Sequence, residues 1–152
     1  MRQQTLSAIV AWLRLEQALQ GFAVALRRDY GITALQLAVL RLLGERPALP
    51  LAALRKTLVM HPATLGQSID ELRRLGLVSV AREARDRRAR TVALTEAGRA
   101  LMARAPLAGP LRLREATIDA ARLDRFRDAC DDALGLFDIA AYAPGKPQEP
   151  AD

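Results

Sequence analysis

Residues 82–90 read Arg-Glu-Ala-Arg-Asp-Arg-Arg-Ala-Arg, with five arginines and two acids. On either side the apolar residues alternate: Val78 and Val80 with Ser79 and Ala81, then Val92 and Leu94 with Thr91 and Ala93. A period of two marks a strand. The segment is therefore expected to be a hairpin of two short strands joined by a strongly charged loop. The rest of the chain carries helical periods, so the fold is expected to be mainly α with one small β-hairpin.

Upstream, the first helix is expected from about Thr5 to Asp29, without proline. Trp12, Leu15, Leu19, Phe22 and Leu26 recur at spacings of three and four, a heptad stripe. Leu6, Ile9, Val10 and Leu13 form a second apolar face, so the helix must be covered on two sides. Thr33 opens a second helix, with Gln36 completing a capping box and Gly44 as the stop. Pro47 and Pro50 bracket a loop, and a short helix follows from Leu51 to Leu58. Pro62 suits the first turn of the next helix, which runs to about Leu75 and ends at Gly76, with Leu65, Ile69 and Leu72 inward. Thr95 caps the helix after the hairpin. Pro106 and Gly109-Pro110 interrupt or end it. A last helix, about Asp119 to Ala140, carries Leu123, Phe126, Cys130, Ala133 and Phe137 at heptad spacing, and residues 143–152 read as a disordered tail.

Charge narrows the partner. The 152 residues hold 23 basic and 17 acidic side chains, a net charge of +6. Residues 41–104 alone carry 13 basic and six acidic residues, and the last third is net acidic. A polyanion is expected to meet the middle of the chain. One cysteine, Cys130, and one histidine, His61, cannot make an internal disulfide or a Cys/His zinc site. No nucleotide-binding or zinc-protease motif occurs, so no metal or cofactor is expected. Arg14, Glu16, Gln17 and Gln20 break the apolar N-terminal stretch, and no apolar run approaches the ~20 residues that span a bilayer. The chain reads as cytoplasmic, unprocessed and without a membrane partner.

Helix, short helix, turn, helix and charged hairpin is the order of a winged helix-turn-helix, whose second turn helix enters the DNA major groove while the wing contacts backbone or minor groove. With Leu65, Ile69 and Leu72 inward, the outward stripe is Ala63, Gln67, Asp70 and Arg74, flanked by Thr64, Gly66 and Arg73. Gln can bond adenine bidentately, and the methyl of Thr or Ala suits a thymine methyl. Gly66 removes bulk where the helix would approach the duplex. Asp70, four residues before Arg74, is expected to pair with and aim that arginine. An ordinary solvated helix face would carry the same residues, and it is the adjoining hairpin that favours DNA.

Asp86 to Gly98 resembles the wing signature of the MarR (multiple antibiotic resistance regulator) family, D-x-R-x-x-x-V-x-L-T-x-x-G, at every fixed position. Gly31 to Gln36 with Val39-Leu40, and His61 to Leu65 with Asp70, Leu72 and Gly76-Leu77-Val78, are similar to the family's second helix and recognition helix. The resemblance covers about residues 5–140. It implies a dimeric winged-helix transcription factor on a pseudo-palindromic operator, usually a repressor released by a small ligand or oxidant. Arg88 would then enter the minor groove, oriented by Asp86, while Arg85, Arg87 and Arg90 neutralise phosphates. Arg55 and Val59 stand where the family usually has Ala and Gly, and the wing lacks glycine.

On this reading residues 31–105 form the DNA-binding domain, and 1–30 with 106–142 form a helical dimerisation region. Leu15, Leu19, Leu123, Phe126, Cys130 and Phe137 would lie in the dimer interface; alternatively the two heptad stripes bury each other within one chain. Cys130 reads as a small buried hydrophobe there, or as an oxidation sensor. His61 suits a cap or a phosphate contact. Trp12 is expected in the core, or with Met60 as a contact for a small effector. The competing functions are a winged-helix protein-interaction module that has lost DNA binding, and a small Cys/His hydrolase, for which no assembled nucleophile is evident.

Overall fold

A computed structural model of the chain describes residues 2–46, 48–58, 62–82, 90–110, 112–115 and 117–143. Met60, His61, Arg85, Asp86, Arg87 and Arg88, as well as Val59 and the tail beyond residue 143, lie outside the described residues.

The first helix, α1, spans Arg2–Tyr30. Only its C-terminal end is rooted in the core: Leu26 is buried and Phe22 packs beside it. The heptad stripe is thus divided, with Trp12, Leu15 and Leu19 largely exposed in the single chain. Trp12 does not lie in the core. It stands 42% exposed, edge-on to Phe137 with ring centroids 5.2 Å apart, because the helix projects beyond the domain at that height. By length and composition alone α1 could cross a membrane, an 18-residue window reaching mean hydropathy 1.2, a test that core helices of soluble proteins and signal sequences pass as well.

The second helix, α2, spans Ala34–Gly44. Its capping box is complete: the Thr33 hydroxyl accepts the Gln36 N–H at 3.1 Å, and Gln36 Oε1 accepts the Thr33 N–H at 2.8 Å. Such a box satisfies two of the donors a helix start leaves open. Leu37, Leu40 and Leu43 on α2 meet Leu54 of α3 (Leu51–Leu58) and Leu65, Ile69 and Leu72 of α4 (Pro62–Arg74) in one apolar cluster. The inward stripe read from the sequence is therefore the buried one. Gly76, at φ +71°, ends α4. Its N–H donates to the Arg73 carbonyl and that of Leu77 to the Leu72 carbonyl, a glycine-centred helix stop.

Strands β2 (Val78–Arg82) and β3 (Arg90–Leu94) pair antiparallel, with Val78 opposite Leu94 and Val80 opposite Val92. A third strand, β1 (Leu49–Pro50), joins the far edge of β3. The segment bracketed by Pro47 and Pro50 is thus not all loop as expected; two residues show no alternation, and proline belongs on a sheet edge. Helix α5 (Glu96–Arg104) follows the sheet, capped by Thr95, whose hydroxyl accepts the Gly98 N–H at 3.1 Å. The chain then breaks as the prolines require. Tyr30 donates to the Arg104 carbonyl at 2.9 Å, and Arg41 donates to the carbonyls of Ala105 and Pro106 at 3.2 and 3.3 Å. Three carbonyls at and just past the end of α5 are thereby engaged from α1 and α2.

A short helix, α6 (Arg112–Glu115), precedes α7 (Ala120–Leu136), which Asp119 caps. The last helix is shorter than expected. Asp138 adopts φ +55°, the Ile139 N–H donates to the Leu134 carbonyl and the Asp138 N–H to that of Gly135. This is the same helix stop as at Gly76 with Asp in the left-handed position, a residue that tolerates it without advertising it. A 3-10 turn, Ala140–Tyr142, closes the described chain.

Candidate nucleic-acid interface

The burial of Leu65, Ile69 and Leu72 fixes the roll of α4, and with it the opposite face. Ala63, Thr64, Gln67, Asp70, Arg73 and Arg74 are all exposed, and Gly66 lies at their edge, half-buried. Nothing in the chain lies within 4 Å of where a Cβ on Gly66 would stand. Glycine costs a helix interior about 1 kcal/mol relative to alanine, so its presence at 66 is not explained by packing within this chain.

Asp70 pairs with Arg73, at 3.9 Å, and not with Arg74 as the sequence spacing suggested. Residues three and four apart are both neighbours on a helix, and here the closer partner is one position earlier. Both side chains are more than half exposed, so the pair restrains Arg73 only loosely. Among the described residues, Arg74 has no ion pair.

The hairpin adds a feature that the sequence reading did not single out. Strand register places Arg82 directly opposite Arg90 at the end of the two strands where the connecting segment leaves and returns, both exposed. Like charges in directly opposed positions destabilise a sheet. A bound polyanion turns that cost into attraction. Arg90 was expected at the interface, but Arg82 becomes legible only once the register is known. The intervening arginines and Asp86 lie outside the described residues.

Glu71 behaves differently from the other charges of α4. It turns to the flank, where its Oε2 accepts the Gln36 Nε2 donor at 2.7 Å and its Oε1 accepts Arg27 NH1 at 3.4 Å. The acid next to the outward stripe thus faces α1 and α2 at the half-buried flank of α4. Arg28, on the same turn of α1 as Arg27, bonds Asp29 instead, at 2.6 and 2.8 Å. That hydrogen bond holds the Asp29 carboxyl below its ordinary range and raises the guanidinium.

The residues expected at a dimer interface lie on the two terminal helices. Leu15, Leu19, Phe126, Cys130 and Phe137 are exposed in the single chain, and Leu123 is half-buried. The two stripes therefore do not bury each other within one chain, beyond the contact of Trp12 with Phe137. A cleft of about 400 Å³ lies between Arg112, Leu113, Ile118, Arg122 and Phe126. A second, of about 350 Å³, is formed by Leu43, Arg46, Leu94, Arg99 and Met102. Trp12, the candidate effector contact, lines neither. Among the described residues no cluster of three metal-ligating side chains occurs.

These elements define a winged helix-turn-helix domain, with α3 and α4 as the turn helices and β2–β3 as the stem of the wing. Residues 30–89 match the sequence model of the MarR family, and over that segment the chain is similar to that family. No curated protein matches the chain. Among solved structures it is similar to Sco3205, a MarR family transcriptional regulator from Streptomyces coelicolor in complex with DNA. That likeness has a TM-score of 0.67 at 19% identity, covering 90% of this chain and 89% of the other. It is also similar to a mutant MarR from E. coli complexed with operator DNA, at TM-score 0.55 and 22% identity, over 84% and 96% of the two chains. A probable transcriptional regulator from Pseudomonas aeruginosa matches at TM-score 0.54 and 27% identity, over 80% of this chain and 94% of the other.

Proposed function

We propose that the protein is a dimeric, sequence-specific DNA-binding transcriptional regulator, acting in the cytoplasm as a repressor at a pseudo-palindromic operator. The observation that carries this reading is the outward face of α4 beside the Arg82–Arg90 pair. Ala63, Thr64 and Gln67 offer base-edge contacts in the major groove, and Gly66 lets the helix approach closely. Arg73 and Arg74 neutralise phosphates at its end. His61 contacts a phosphate at its start. The wing carries Arg85, Arg87, Arg88 and Arg90 to the neighbouring backbone, with Arg88 in the minor groove and Asp86 orienting it.

Reading a two-fold site takes two recognition helices spaced by a helical turn of DNA, ~34 Å. The exposed apolar faces of α1 and α7 supply the surface for a second copy, with Leu15, Leu19, Leu123, Phe126, Cys130 and Phe137 in the contact. A small effector that binds between the terminal helices and the domain, near Trp12 and Met60, would change that spacing and release the operator. No residue is assigned a catalytic role.

Selection of bound duplexes from a random library tests the reading. The expected product is a two-fold symmetric sequence whose half-sites lie one helical turn apart. Recovery of no sequence at low salt would instead favour a winged-helix module that binds protein.

A further inference from the structure

Glu71 lies on the helix assigned to reading DNA, yet its carboxylate is turned away from the outward face. Both of its oxygens are engaged by other helices. Oε2 accepts from Gln36, a side chain only 1% exposed, at 2.7 Å, and Oε1 accepts from Arg27 at 3.4 Å. Gln36 is itself fixed, since its Oε1 closes the capping box of α2. Arg27 also donates to the Gly31 carbonyl, which ties it to the last turn of α1. One carboxylate on α4 therefore joins the start of α2 to the end of the α1 arm.

Apolar packing of Leu65, Ile69 and Leu72 holds α4 onto the domain but resists small rotations about its axis weakly, because dispersion contacts have no direction. A hydrogen bond from a buried amide to a charged acceptor is directional, and it is among the stronger kinds. It acts at Glu71, one turn beyond Gln67 and next in sequence to Asp70 of the reading face.

We propose that Glu71 is a positioning residue: its bond to Gln36, backed by Arg27, sets the roll of the recognition helix and so the register in which the helix meets base edges. The proposal rests on the DNA-binding reading above. It assigns Glu71 no contact with DNA.

Glu71→Gln and Glu71→Ala remove the same charge and differ in whether an acceptor for Gln36 remains. Each full-length variant is titrated with the duplex recovered by selection on the wild-type chain and with a scrambled duplex of equal composition. With the loss of a hydrogen bond to a charged group, Glu71→Ala is expected to lower the preference for the selected duplex about tenfold. Its affinity for the scrambled duplex stays within about twofold, since phosphate contacts are unchanged. Glu71→Gln keeps most of the preference. A lower fraction of folded protein would reduce both affinities together, so a merely structural role does not reproduce this pattern.

Equal preferences in the two variants would overturn the proposal. If Glu71→Ala does not fold, Arg27→Ala decides, with Arg28→Ala as the charge-matched control. A drop of about twofold to threefold confined to Arg27→Ala supports the proposal, as suits a largely exposed pair, and no difference between the two overturns it. A wild-type chain that selects no duplex would refute the DNA-binding reading itself. Amide exchange in α4 then tests the clamp alone: faster exchange in Glu71→Ala than in Glu71→Gln supports it, and equal rates refute it.

Discussion

The Thr95 hydroxyl donates to the Gly76 carbonyl at 2.6 Å while accepting the Gly98 N–H at 3.1 Å. One side chain thus ties the exit of α4 to the start of α5. The Thr95 N–H also donates to the Leu77 carbonyl. A Cβ on Gly98 would fall inside van der Waals contact with that same carbonyl oxygen. Two fixed positions of the wing signature, the Thr and the Gly, therefore have a local structural cause. They lock the base of the wing against the end of the recognition helix.

Thr95→Ala removes a helix cap and leaves the Gly76 carbonyl without its donor. The expected loss is about 1–2 kcal/mol of folding stability, read from the urea midpoint. Thr95→Ser should retain most of it. Gly98→Ala should cost about 1–3 kcal/mol by overpacking against backbone. An unchanged midpoint in Gly98→Ala would show that α5 can shift off Leu77.

Gly66 gives a prediction with two opposed signs. With no neighbour within 4 Å of the added methyl, Gly66→Ala should stabilise the folded protein by about 0.5–1 kcal/mol. The same change should weaken binding to the selected duplex, because on the proposed reading the methyl would stand between the helix and DNA. Thermal unfolding and fluorescence anisotropy on one preparation read the two effects. Stabilisation with unaltered binding would remove Gly66 from the interface.

Leu19, 42% exposed on α1, tests the assembly. Leu19→Arg places a charge in the expected contact between copies, where an uncompensated buried charge is strongly unfavourable. Sedimentation at micromolar concentration should show a dimer for the wild type and a monomer for the variant. Leu26 must be left alone in this test, because it is buried in the core of the winged domain.

Much of the fold was legible in the sequence because its signals are local. The capping box at Thr33 and Gln36, the Pro62 start, the Gly76 stop and the alternation at Val78–Val80 each follow from chemistry within four residues. The short helix Leu51–Leu58 was bounded by the same means. Features that depend on distant partners were not legible. Strand β1 is defined by its register against Val92, not by its own two residues. The early end of α7 turns on Asp138, which enters the left-handed region without the glycine that usually marks it.

The site divides along the same line. The outward stripe of α4 follows from helical period alone, since three buried positions determine the rest. Arg82 opposite Arg90, and Glu71 bonded to Gln36 across 35 positions of sequence, need the tertiary structure. Trp12 shows the limit of reading apolar periodicity as burial. Its stripe is continuous in sequence, but the buried core ends near Phe22, and Trp12, Leu15 and Leu19 stay largely exposed, with Phe137 against the Trp12 ring.

A salt titration shows whether the basic face binds a phosphate backbone. Affinity for the duplex recovered by selection is measured from low to moderate salt. Several phosphate contacts predict a linear fall of log K with log salt, with a slope of about −0.9 for each contact made. Absence of binding at low salt, or an affinity indifferent to salt, would contradict the account and assign the basic face to another partner.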